Sequence, residues 1–358
     1  MLAQGRLQRN TAAVSKGKTA GLIGALLVLL VGCIALVIGL TPAEPSYQGR
    51  NASAWLGDFN IRRGKSGGDA CPALKAMGPA AAPVIIRRLE SSESVWQTKY
   101  RLLFPKLPAR VANFLPTPRA EFCYLDAGNA LFAIGAAVEP GLIKALKSGS
   151  PGTRSAAARA LGSLKFSGEA DIKDAIPGLI QTLGDENAMV RVCSALALGN
   201  AGPEAAPAVP SLIVLLKDPD AGSKPGDKVF IRAAAARALG KIGPKAGSAS
   251  SSLTNLLQDK DDYLRAAAAI AIWRIDADVT NTLPVLTQAL EQGRVESKWE
   301  VIDTMGEMGP RAKAAVPVLL RELAAPKQSS PSWGYNCGKI TNALNEIDRE
   351  ALAKAGLR

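Results

Sequence analysis

The sequence predicts an all-α array of stacked helical hairpins, carried behind one long hydrophobic segment. Three recurring features predict it: a leucine column, a column of basic residues each paired with a glycine, and a repeated Gly-Pro step. Leu89, Leu146, Leu183, Leu216, Leu257, Leu290 and Leu323 each follow an anchor by six residues. The anchors are Pro83, Pro140, Pro177, Pro210, Ser251, Pro284 and Pro317, and Ile85, Leu142, Leu179, Leu212, Leu253, Leu286 and Leu319 stand at +2. Their spacings of 57, 37, 33, 41, 33 and 33 reduce to a 33-residue unit with insertions of 24, 4 and 8. A period of roughly 20 to 50 residues marks units that bury their apolar faces only against their neighbours.

Each unit begins with a helix A. Arg154, Arg191, Arg232, Arg265 and Lys298 stand eight residues before Gly162, Gly199, Gly240, Trp273 and Gly306, and between them run stretches such as Ala156-Ala157-Ala158. Alanine is the strongest helix former, and small side chains let helices approach closely. Gly-Pro at 78–79, 202–203, 243–244 and 309–310 ends helix A, glycine by turning left-handed and proline by blocking continuation. Helix B then starts near the anchor, where a proline in the first turn sacrifices no hydrogen bond, and its +2, +3 and +6 residues form one apolar stripe. Asp185 and Asp259, six residues before Arg191 and Arg265, are placed to cap the incoming helix A or complement its dipole.

The run Arg, Ala-Ala-x-Ala-Leu-Gly, Gly-Pro, Pro-x-Leu resembles the HEAT repeat family, in particular its short bacterial form similar to phycobilisome lyase repeats. The resemblance is closest from Gly152 to Pro326 and looser around Pro83 and Pro140. It implies a right-handed α-α superhelix with A helices on the convex side and B helices on the concave side, where HEAT arrays bind other proteins. Fold alone does not name the ligand.

Upstream, residues 20–40 read AGLIGALLVLLVGCIALVIGL, 21 residues without a charge. As a helix they span about 30 Å, the thickness of a bilayer core. The tail 1–19 carries Arg6, Arg9, Lys16 and Lys18 and no acid, which places it in the cytoplasm and the repeats outside, in the periplasm of a bacterium. Two other readings stay open: a lipoprotein through Cys33, and a signal peptide cleaved near Ala43. All three leave the array outside the cytoplasm.

Residues 41–69 form a linker and N-terminal cap with Trp55, Leu56 and Phe59, residues 70–326 hold seven repeats, and 327–358 close the array. The closing hairpin turns Leu344, Ile347 and Leu352 inward. The net charge of +12 includes +4 from the tail and +7 between Asp58 and Arg119, so the excess lies near the membrane. No basic run interleaved with aromatics points to nucleic acid. Outside the hydrophobic segment stand Cys71, Cys123, Cys193 and Cys337. Cys71 and Cys123, at the starts of consecutive A helices, are a conceivable disulfide, and Cys193 takes an alanine-type core position.

There is no histidine, which removes Ser-His-Asp and Cys-His catalysis and imidazole metal sites. The cysteines are too dispersed for a zinc site, and no phosphate loop or nucleophile elbow is present. Asp218, Asp220 and Asp227 on the 8-residue insertion lack the closing carboxylate of a calcium loop, Val229 standing there. The sequence thus assigns no catalytic residue, cofactor or metal.

On helix B, +2 and +6 point into the stack, leaving +1, +4 and +5 for a partner. The +4 row reads Arg87, Lys144, Gln181, Val214, Asn255, Gln288 and Arg321: amides in the middle, basic ends, and an apolar spot at Val214 with Leu215. In the 24-residue insertion near 93–118, Trp96, Tyr100, Leu103 and Phe104 share a helical face, as a cap over the array or as a contact site. The reading is a membrane-anchored scaffold binding a protein partner; the alternative is a lyase-like enzyme or enzyme subunit working on the concave face. The partner's identity and the oligomeric state are not legible.

Overall fold

The computed structural model describes residues 43–60, 65–66, 68–93, 99–100, 103–104, 107, 123–217, 231–291, 298–324 and 332–354. The chain divides into two units, Met1–Pro45 and Ser46–Arg358. The basic tail, the hydrophobic segment 20–40 and Cys33 lie outside the described residues. Among the described residues no helix is long and apolar enough to cross a membrane.

The second unit opens with two antiparallel strand pairs, β1 (Ser46–Tyr47) with β2 (Arg50–Asn51) and β3 (Phe59–Asn60) with β4 (Lys65–Ser66). Gln48 and Gly49 turn the first pair at φ 50° and 74°, as a two-residue hairpin requires. Between the pairs, α1 (Ala52–Trp55) is capped by Asn51, whose Oδ1 accepts from Ala54 N at 3.2 Å. Trp55 and Leu56 are buried, and the Arg50 guanidinium lies 3.9 Å over the Trp55 ring. Trp55 and Leu56 thus pack inward beside strands that the all-helical expectation lacked; the side chain of Phe59 is not described.

Among the described residues seven hairpins follow. The A helices are α2 (Ala70–Met77), α4 (Tyr124–Ile134), α6 (Pro151–Phe166), α8 (Ala188–Ala201), α10 (Ile231–Ile242), α12 (Asp262–Asp276) and α14 (Lys298–Met308). The B helices alternating with them are α3 (Ala82–Glu93), α5 (Glu139–Ala145), α7 (Ile176–Thr182), α9 (Val209–Leu215), α11 (Ser250–Leu256), α13 (Val279–Glu291) and α15 (Val316–Ala324). The closing pair is α16 (Ser332–Ile347) and α17 (Arg349–Lys354), with Leu344 and Ile347 buried. The side chain of Leu352, the third residue expected to turn inward, is not described.

Local chemistry sets the helix ends. Ser150, Asn187 and Asp261 cap α6, α8 and α12 by accepting from Thr153 N (3.1 Å), Met189 N (2.9 Å) and Leu264 N (3.0 Å). Gly78, Gly202, Gly243 and Gly309 stand at φ 62°, 66°, 73° and 59°, a region closed to most side chains, and 3₁₀ turns lead from them into helix B. In the sixth repeat Ala277 takes this place at φ 55°, and α13 follows without a 3₁₀ lead.

Every +2 residue is buried, as are the +6 leucines from Leu89 to Leu290; Leu323, at the end of the row, is partly covered. The glycine column explains how the A helices stack. A Cβ on Gly162 would lie 2.9 Å from Ala197 Cα, one on Gly199 2.9 Å from Ala238 Cα, and one on Gly240 2.8 Å from Ala271 Cα. Backbone therefore meets backbone along this layer. The B helices meet through side chains, as where Gly178 faces Leu146 Cδ1. Trp273, filling the glycine position of the sixth repeat, is buried with the Arg311 guanidinium 4.5 Å from its ring, and α12 touches α14 only lightly.

Replacing Gly by Ala in a helix ordinarily stabilises by about 1 kcal/mol. At Gly199 the new methyl meets backbone and the sign reverses: Gly199→Ala should lower stability by about 1–3 kcal/mol in thermal unfolding. Gly141→Ala, on an open helical surface, should be neutral or stabilising by up to about 1 kcal/mol.

Candidate functional site

The +4 row occupies the outer ridge of the B helices. Arg87, Lys144, Gln181, Val214, Asn255, Gln288 and Arg321 are all exposed, Val214 to 71%. At about 100° per residue, +4 lies some 160° from the buried +2 position, whereas +5 lies only about 60° from it. Accordingly the +5 residues Ala145, Thr182, Leu215, Leu256 and Ala289 are buried, which corrects the expectation that +5, and Leu215 in particular, belongs to the contact ridge. The +1 row fails in part too: Val84 and Val318 are buried, Gly178, Ser211, Ser252 and Val285 are half-buried, and only Gly141 is exposed.

Because the B helices are spaced by side chains, a groove opens between α7 and α9, with a volume of about 710 Å³. Ile180, Gln181 and Leu183 line it from the α7 side, Ser211, Val214 and Leu215 from α9. Asp185 and Arg191 lie at its end and Lys217 at its margin. Gln181 and Val214, two members of the +4 row, are thereby brought to one concavity; the other five stand on the ridge outside it.

Arginines of helix A hold the loops beside this groove. Arg154 donates from Nε and Nη2 to the two Asp185 oxygens (2.7 and 2.8 Å) and from Nη1 to the carbonyls of Ser148 (2.8 Å) and Gly149 (3.1 Å). Arg191 donates to the carbonyls of Asp185 (2.8 Å) and Glu186 (3.2 Å). One repeat on, Arg232 binds the Leu216 carbonyl (2.9 Å) and Asp259 (3.0 Å), and Arg265 binds the Asp259 carbonyl (2.7 Å). Each rung joins the end of one B helix to the loop of the next hairpin. Asp185 and Asp259 are thus ladder carboxylates that also accept from Asn187 N (2.9 Å) and Asp261 N (3.1 Å); the helix caps themselves are Asn187 and Asp261. The regular Arg and Asp columns were the signal for this ladder, whose carboxylates the sequence reading assigned to capping or to the helix dipole.

Charge along the ridge is uneven. Arg87, Lys144, Lys147 and Lys217 are exposed and form no ion pair among the described residues. Arg321 pairs with Glu291 at 3.0 Å, so the C-terminal basic end expected from sequence is neutralised. Arg237 and Arg274, on neighbouring A helices, converge on the buried Glu300 of α14, and Arg274 also pairs with Glu307 at 3.1 Å.

Of the insertion residues, Trp96 lies outside the described residues, as do the acidic positions Asp218, Asp220 and Asp227 of the later one. Tyr100 is half-buried edge-on to Phe104, centroids 5.6 Å apart, but Leu103 is 55% exposed, so a fully buried cap face is not what the described part presents. Cys71 and Cys123 are free thiols, against the disulfide considered for them, and Cys123 Sγ donates to Asp126 at 3.2 Å. Burial pushes the Cys193 thiol up to about 12, in keeping with its core position. Among the described residues no cluster could hold a metal ion.

Residues 139–224 and 250–329, together just under half of the chain, match the family model for HEAT repeats. Among solved structures, the complex of CpcE and CpcF of phycocyanin lyase from Nostoc sp. PCC7120 is similar at 22% identity and a TM-score of 0.44, covering 68% of this chain and 98% of that one. The archaeal HEAT-like repeats protein from Thermococcus onnurineus NA1 is similar at 17% identity and a TM-score of 0.36, covering 71% and 99%. No curated protein matches the sequence.

Burial pushes the Asp185 carboxyl up, but the hydrogen bonds from Arg154 and Asn187 N and the charges of Arg154 and Arg191 outweigh it and hold the carboxyl below its usual value. A carboxylate depressed by folding stabilises fully above the unfolded value near pH 4, and the contribution is lost as pH falls through the folded value. Asp185→Asn leaves Arg154 without its carboxylate and should cost about 3 kcal/mol at neutral pH. Denaturant unfolding from pH 7 down to about 2 should show the native chain losing stability over this window, with a shallower decline in the variant.

Proposed function

We propose that the chain is a membrane-anchored interaction scaffold whose exposed B-helix ridge holds a protein partner in the cell envelope, with no chemistry of its own. The observation that carries this reading is the +4 row, exposed in all seven repeats and opening into the groove between α7 and α9. An outer row kept clear of the core along the whole stack offers an extended contact line, and the HEAT repeat matches favour a protein as what lies on it. The chargeless segment 20–40, with four basic residues before it, supports a single span with the N-terminus in the cytoplasm and the repeats outside.

A photo-crosslinking residue at Gln181, Val214 or Asn255, introduced one at a time into the full chain in cells, should give a discrete protein adduct. The same residue at Leu196 or Phe166, exposed on the A helices, should not. Equal adducts from both faces, or none from the ridge, would reject the scaffold reading. The anchor has its own check: the chain should stay in the membrane pellet through an alkaline carbonate wash, and removal of residues 1–40 should release it to the supernatant.

A further inference from the structure

Resting on the reading that the B-helix ridge binds protein, we propose that the groove between α7 and α9 receives an acidic, extended segment of the partner that inserts one apolar side chain. Three observations converge on that occupant. The first is apolar surface where the rest of the ridge is polar: Val214 is 71% exposed, half-buried Ile180 shares the groove with it, and the buried Leu183 and Leu215 form its floor. Such a surface stays in contact with water unless an apolar group covers it.

The second is charge. Lys217 stands at the groove margin, Lys144 lies on the preceding B helix and Lys147 in the turn after it, and Arg87 continues the row on the first. None has an ion-pair partner among the described residues. Among the described acids nearby, Asp185 is committed to Arg154, leaving Glu90 and Glu186 exposed against the four basic side chains. A segment rich in Asp and Glu is the complement of this strip.

The third is the chemistry of the remaining row. Gln181, Asn255 and Gln288 are exposed primary amides in the third, fifth and sixth repeats, each able to donate to a peptide carbonyl and accept from a peptide N–H. A polysaccharide or lipid headgroup would satisfy the lysines but leave the apolar groove uncovered, so a peptide is the occupant that uses all three features.

The test uses the full chain in detergent micelles and a fluorescein-labelled peptide of eight Asp and Glu residues flanking one central Leu, read by fluorescence polarisation. Saturable binding is expected, weakened about tenfold or more when Leu is replaced by Ser, by Val214→Asp, and by Lys144→Glu with Lys217→Glu. It should also weaken as salt rises from about 50 to about 300 mM. These positions are exposed, so circular dichroism and melting of the variants should match the parent. Absence of saturable binding, or heparin and polyglutamate binding as tightly with no effect of Val214→Asp, overturns the proposal. A photo-adduct at Gln181 or Val214 with a partner whose contacting segment is neutral or basic overturns it too, while leaving the scaffold reading intact; loss of ridge adducts altogether removes both.

Discussion

Backbone-to-backbone contact between successive A helices is the constraint on which the rest of the array depends. At Gly162, Gly199 and Gly240 the next helix sits where a side chain would otherwise project, so no other residue fits without displacing main chain. This fixes the separation of the A helices more tightly than apolar packing could, because methyl groups tolerate rearrangement and backbone does not. The B helices, joined to this layer by short turns, are kept apart by Leu-sized side chains. Grooves on the B side are therefore the geometric remainder of contact on the A side, and the one between α7 and α9 is where that remainder coincides with an exposed Val214.

Most of the repeat architecture was legible because it rests on residues that recur. The leucine column and the +2 row marked the core, and Gly78, Gly202, Gly243 and Gly309 marked the ends of the A helices through a left-handed backbone that glycine supplies. The +4 ridge was legible for the same reason, following from helical phase once the core row was known. The +5 row was misplaced because a stripe judged from +2 and +6 alone is too narrow; in a two-turn helix packed on both flanks, Leu215 and Leu256 belong to the interior.

What sequence left hidden depends on contacts between residues far apart in the chain. Arg154 and Asp185 are 31 residues apart, and Arg237 and Glu300 63, so each residue taken alone resembled an ordinary helix-end charge. The β1–β2 and β3–β4 pairs escaped because two-residue strands have no alternation to detect, and only the Gln48-Gly49 turn announces the first. The groove likewise has no signature of its own: its lining residues come from two repeats, and none breaks the consensus except Val214.

The Trp273 position carries a mechanical consequence. At the junctions after Gly162, Gly199 and Gly240 neighbouring repeats are coupled through rigid, dry main chain, which behaves as a stiff spring indifferent to ionic conditions. After Trp273 that coupling is replaced by an indole wedge and by arginines gathered on Glu300 and Glu307, a joint whose restoring force is largely electrostatic. Added salt weakens the exposed Arg274–Glu307 pair of this joint while leaving the dry ones unchanged. Compliance is thus concentrated near the C-terminal end of the array, so that the seventh repeat can be deflected by a load that repeats three to six transmit undistorted.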